Sequence, residues 1–209
     1  MANFLTVLPL AFVMVAGPQL VSAIFLATSD RARANSVGYL LGVALATALG
    51  TTVVFVVASM FGIQRDSNDD GPGLIDYAII ALLLVLVVRV YLRRNSTEPP
   101  AWMGKLQTAT PRLSFKVGFL LFILMPTDII TMITVGTSLV REDRSLLEAL
   151  PFLLTTVLLV AIPLLILLLL GERAQVILPK MRAWMNTNSW IVSEIVIVFF
   201  LVVTIVGLA

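Results

Sequence analysis

Neither cysteine nor histidine occurs anywhere in the 209 residues. Disulfides, thiol redox chemistry, zinc or haem ligation and imidazole catalysis are removed together. Most enzyme readings go with them, so the chain is expected to be no enzyme, with no cofactor and no metal centre. Charge is scarce too: Asp, Glu, Lys and Arg make up 12% of the residues, where a soluble domain carries about a quarter. Instead, 59% of the residues are hydrophobic and the mean hydropathy is +1.04. Too little polar surface remains to cover a water-soluble globule, and an integral membrane protein follows.

A spanning helix needs about 20 mostly apolar residues. Six runs meet that length: 4–28, 36–62, 73–93, 114–140, 147–171 and 188–208. The fold class is therefore an all-α integral membrane protein with six transmembrane helices. The first run is expected to stay as a helix, because no Lys or Arg precedes it as in a cleavable signal. The longest connection, 95–113, holds Pro99, Pro100, Trp102 and Pro111 and reads as an interface-hugging linker. It divides the chain into repeat 1 (1–94) and repeat 2 (114–209). Three helices on each side of it force the second set to cross the membrane with opposite polarity, which makes the two sets inverted repeats.

Basic residues set the orientation. Eleven of the 14 Lys and Arg fall on one side: Arg31 and Arg33, then Arg89 to Lys116, then Arg173, Lys180 and Arg182. That side is expected to be cytoplasmic, which places both termini outside a cell membrane that the chain crosses several times. The net charge of +2 is accounted for by this asymmetry, and no nucleic-acid partner is needed.

The run 114–140 carries Met125-Pro126-Thr127-Asp128 near its centre, where a proline and a carboxylate are both costly. No Lys, Arg or His lies at mid-membrane to pair with Asp128. Such a group must be protonated, ion-bound or hydrogen-bonded in a wet cavity, or else be a buried structural acid. Thr131 and Thr134 follow Thr127 at helical spacing. The first run has its own interruption at Gly17-Pro18-Gln19, also near mid-depth. By itself this is an ordinary proline kink. Set against Pro126 it becomes the matching half of a pair, and two broken helices in corresponding places are the sequence mark of a transporter's site. Asp128, Thr127, Thr131 and Gln19 are the expected substrate or ion contacts, with Gly17, Pro18 and Pro126 as breaks lining the site.

Gly38, Gly42, Ala46 and Gly50 recur every four residues in the second run, a small-residue stripe on which another helix can sit closely. Its partner is either a helix of the same chain or a second copy, as in a homodimer. Leu at Gly42 should be severe and Leu at Val54, off the stripe, mild. Glu194, near the start of the last run, is a second carboxylate that either joins the site or snorkels to the interface. The segment 172–186 mixes apolar and basic residues as an interfacial helix broken at Pro179 would.

From Pro18-Gln19-Leu20 through Ser29-Asp30-Arg31-Ala32-Arg33-Ala34-Asn35 to Gly38-Tyr39-Leu40-Leu41-Gly42, the chain resembles the peptidoglycolipid-addressing family of the lysine exporter superfamily. Pro100-Ala101-Trp102, Thr110-Pro111-Arg112 and Phe115 to Pro126 carry the likeness further. The resemblance implies two three-helix repeats and export of amphipathic molecules, with glycolipids proposed. Many members have Asn-Pro-Lys at the second break, where this chain has Met125-Pro126-Thr127 followed by Asp128. The expected function is a secondary exporter of an amphipathic or lipid-like solute by alternating access, with H+ or Na+ as the coupling ion and membrane lipids as partners. Its rivals are a cation or metal exporter of the same superfamily and a non-transporting scaffold for lipid export.

Overall fold

The computed structural model describes residues 17–61 and 105–184, together with positions 10–12, 14, 15, 84, 88, 92, 187, 188, 191 and 198. All regular structure among them is helical. Helix α1 (Pro18–Ala27) begins on a proline, whose missing N–H costs nothing in a first turn. It stops where the Thr28 hydroxyl turns back onto the Ile24 and Phe25 carbonyls. After a tight turn, α2 (Ala32–Met60) runs for 29 residues. It starts before the apolar run at 36, because hydropathy marks only the membrane-facing part, while Ala32, Arg33 and Ala34 are good helix formers that extend the coil.

The run 114–140 is broken at Pro126 as expected: α3 (Pro111–Leu124) and α4 (Pro126–Arg141) meet at Met125 with a 67° bend. Thr110 caps α3 by accepting from the Leu113 N–H. Beyond α4, Arg144 pairs with Glu142 at 2.7 Å, and Ser145 and Glu148 cap each other's turn. Helix α5 (Leu150–Leu170) follows. The segment 174–184 is one helix, and Pro179 does not break it. The carbonyl robbed of its donor by Pro179 belongs to Gln175, an exposed residue.

Helix α2 is the axis: α1, α3, α4 and α5 all pack on it. Its buried face is Asn35, Ser36, Gly38, Gly42, Ala46, Thr47, Gly50 and Thr51, with Tyr39 and Val43. Its exposed face is Val37, Leu41, Leu45, Leu49, Val53 and Val56. Small and polar inside, large and apolar outside, is the reverse of a soluble helix and what lipid demands. The stripe's partner is in the same chain. A Cβ on Gly38 would sit 2.6 Å from the Pro111 carbonyl oxygen, and one on Gly42 would strike the Phe115 carbonyl of α3. Gly50 faces Met132 of α4, and Gly118 of α3 faces the Tyr39 carbonyl in return. Val54 is no neutral position: its side chain lies against Gly136 of α4.

Among the described residues, two helices are long and apolar enough to cross a membrane, or three if α3 and α4 form one broken span. The expected spans 73–93 and 188–208 lie outside the described residues save for isolated positions. Met1–Gln64 with Pro100–Arg182 form one compact unit, to which α1 to α5 belong, and Arg65–Pro99 with Ala183–Ala209 form another.

Candidate functional site

Each break is a proline taking the first position of a new helix. At the first, Pro18 cannot donate to the carbonyl four residues back, that of the fully buried Met14, and Gly17 adopts φ 109° to turn the chain. At the second, Pro126 deprives the Phe122 carbonyl of its donor, and Phe122 is also fully buried. Met125 stays tied on both sides, its N–H to Leu121 at 3.1 Å and its carbonyl to the Ile129 N–H at 3.0 Å.

These two interruptions are joined side chain to side chain, by residues 109 positions apart in sequence. Gln19 Nε2 donates to Asp128 Oδ2 at 2.9 Å, with Gln19 1% and Asp128 0% exposed. Asp128 lies in the first turn of α4, where the unpaired N–H groups of the helix end favour negative charge. Thr127 Oγ1 donates to the other carboxylate oxygen at 3.2 Å. The Tyr39 hydroxyl of α2 donates to the Gln19 carbonyl at 2.8 Å, so the central helix anchors the first break.

Not every expected contact converges there. Thr131 is buried one turn below Asp128, but its hydroxyl donates to the Thr127 carbonyl of its own helix at 2.8 Å. Thr134 is exposed and likewise turned back, onto Ile130. Glu194 lies outside the described residues. Gly38, Gly42, Ala46 and Gly50 sit behind the site, bringing α2 against the broken span.

Three residues that carry the geometry have no mark in the sequence. Tyr39 reads as one more apolar helical position. Ser22, fully buried on α1, reads as a small packing residue. Asn35, fully buried at the start of α2, donates from Nδ2 to Ser29 Oγ at 2.8 Å and to the Ala109 carbonyl at 2.9 Å. With the Asp30 N–H bonded to the Gln107 carbonyl at 3.2 Å, it clamps the α1–α2 turn to residues 105–110. Arg182 stacks 4.0 Å over the Phe25 ring beside them and meets the Gln107 side chain.

An apolar groove of about 290 Å³ runs along α3 up to the second break, lined among the described residues by Val117, Leu120, Leu121, Leu124 and Met125. The groove ends at Met125, three residues before Asp128.

A family model described as Sap, sulfolipid-1-addressing protein, matches residues 7–209. The match carries the lipid-addressing part of the resemblance and does not extend to the lysine exporter superfamily. No curated protein and no solved structure matches the chain.

Proposed function

The chain belongs to the sulfolipid-1-addressing protein family, and on that premise we propose that it is a secondary exporter that moves an amphipathic, lipid-like solute outward by alternating access. The observation that carries this reading is the hydrogen bond between Gln19 and Asp128, which joins two broken helices at a buried carboxylate. Discontinuous helices that face one another are where transporters bind, and an ionisable group inside a membrane is functional by default. The apolar groove ending at Met125 suits the hydrocarbon part of such a solute. The family's name points to a sulfated lipid. The reading includes six spans in two inverted repeats of a cell-membrane protein, a cytoplasmic basic face, and an ion gradient as the driving force. It is a carrier's chemistry, in which no bond of the solute is made or broken.

The test is reconstitution into vesicles with a labelled glycolipid, in plain and sulfated forms, under an imposed ion gradient. Asp128→Asn keeps the shape and removes the charge. It should abolish gradient-driven lipid movement while the folded protein elutes unchanged. Full gradient-driven movement in the Asn variant would make Asp128 structural and sink the reading.

A further inference from the structure

Helix α5 is long enough to use up the hydrocarbon of a bilayer. Its 21 residues rise about 32 Å, against a hydrocarbon core of about 30 Å, so a segment that follows it belongs at the level of the headgroups. Gly171 turns the chain there at φ 51°, and the helix 174–184 follows.

One face of that helix is docked on the protein. Ala174 and Leu178, both buried, form a cluster with Ala27 at the end of α1, and Met181 packs against it. Arg182 lies over Phe25 of α1 and meets the Gln107 side chain. Arg173, Val176, Ile177 and Lys180, spaced i, i+3, i+4 and i+7, share the other face. All four are exposed, Val176 to 56%. Water leaves Val176 and Ile177 unburied, and hydrocarbon strips Arg173 and Lys180 of hydration. The headgroup boundary satisfies both, because apolar side chains enter the acyl edge while long basic ones reach up to phosphate.

Charge at this end is left for a partner outside the protein. Among the described residues both ion pairs belong to Arg144, at the opposite end of α5, where Glu142 and Glu148 neutralise it. Around the helix 174–184 and the α1–α2 turn, Arg31, Arg33, Lys105, Arg173 and Lys180 are exposed and outnumber the carboxylates Asp30 and Glu172 of the same segments. None of these cations forms an ion pair among the described residues.

We propose that the exposed face of the helix 174–184 is a docking surface for anionic phospholipid headgroups, with Arg173 and Lys180 on the phosphates and Val176 and Ile177 in the acyl edge. The opposite face holds Ala27 and Phe25, so the lipid surface bears on α1, the helix that carries Gln19. This inference needs insertion into a membrane and does not need export.

The chain has no cysteine, so a single bimane label can be placed at Val176→Cys. The labelled full chain is reconstituted into phosphatidylcholine vesicles that contain phosphatidylglycerol, and quenching by doxyl-labelled forms of the two lipids is compared with no gradient imposed. Phosphatidylglycerol should be preferred at the label about fivefold, the weight of one basic contact with an anionic surface. Arg173→Gln together with Lys180→Gln should bring the two lipids to parity. Raised KCl should do the same to the chain that keeps both cations, because the attraction is screened within a Debye length, and this arm needs no further variant to fold. Equal quenching by the two lipids at low salt overturns the proposal. So does quenching by neither, which would put the face against water or a protein. A preference that survives both the double variant and the salt places the headgroups elsewhere and overturns it too. None of these outcomes depends on whether the protein moves lipid, so failure here leaves the export reading standing, and loss of that reading leaves the docking surface standing.

Discussion

The break at Gly17–Pro18 and the break at Met125–Pro126 both start a helix on proline, and there the likeness of their backbones ends. Gly17 turns the chain at φ 109°, ψ −142°, a region open almost only to glycine. Met125 does so at φ −69°, ψ 128°, ordinary extended backbone. The first break is fixed by backbone geometry, and its side chain, Gln19, is neutral. At the second the backbone is permissive, and the chemistry rests on Asp128. The pair joins a strict backbone turn to a carboxylate contact, and α2 packs against the helices that carry both.

The variant that breaks this comparison most severely is Gly42→Leu. Its Cβ would run into the Phe115 carbonyl and lie 2.8 Å from the Phe119 nitrogen, backbone atoms that cannot turn aside. A cost of about 3 kcal/mol or more is expected, with loss of the folded peak on size exclusion. Val53→Leu, on the exposed face of α2, should elute as the native chain does. Equal behaviour of the two would mean that α3 does not need α2 at that height.

The backbone contrast is read from a pair of conservative variants. Gly17→Ala should lower the unfolding free energy by about 1–3 kcal/mol, and Met125→Leu, which keeps the volume and meets no conformational demand, by less than about 1.5 kcal/mol. Thermal unfolding in detergent decides, and matched losses would erase the distinction. The smallest effect is expected from Tyr39→Phe, which removes the bond to the Gln19 carbonyl and should cost about 0.5–1.5 kcal/mol. If the link matters to the first break alone, the Tyr39→Phe and Gly17→Ala losses should fall short of additive. Strict additivity would show that Tyr39 holds something else.

Pro18, Pro126 and Asp128 were legible in the sequence because each violates the rule of its surroundings: a residue without an N–H inside a helix, and an ionisable group inside lipid. Gln19 was legible only by its place beside a proline. The stripe Gly38 to Gly50 announced a close contact, though not with which helix. Tyr39, Ser22 and Asn35 stayed hidden because their roles arise from partners 20, 17 and 74 positions away, such as Gln19 for Tyr39 and Ala109 for Asn35. Spacing alone erred at Thr134, whose hydroxyl satisfied itself on its own helix, the usual habit of threonine in apolar helices. The bend in 114–140 was legible from Pro126 and not from hydropathy, which sums transfer free energy along a run and is blind to a missing hydrogen bond.

The clamp at Asn35 bears on how the polypeptide can be divided. It fastens residues 105–110 to the turn before α2, and α3 lies along α2 directly beyond it. A chain cut just ahead of Lys105 would therefore yield two pieces that carry their mutual recognition with them. Separately expressed fragments ending at 104 and starting at 105 are expected to reassemble in one membrane, with Asn35 as the residue whose replacement by Leu prevents them from finding register.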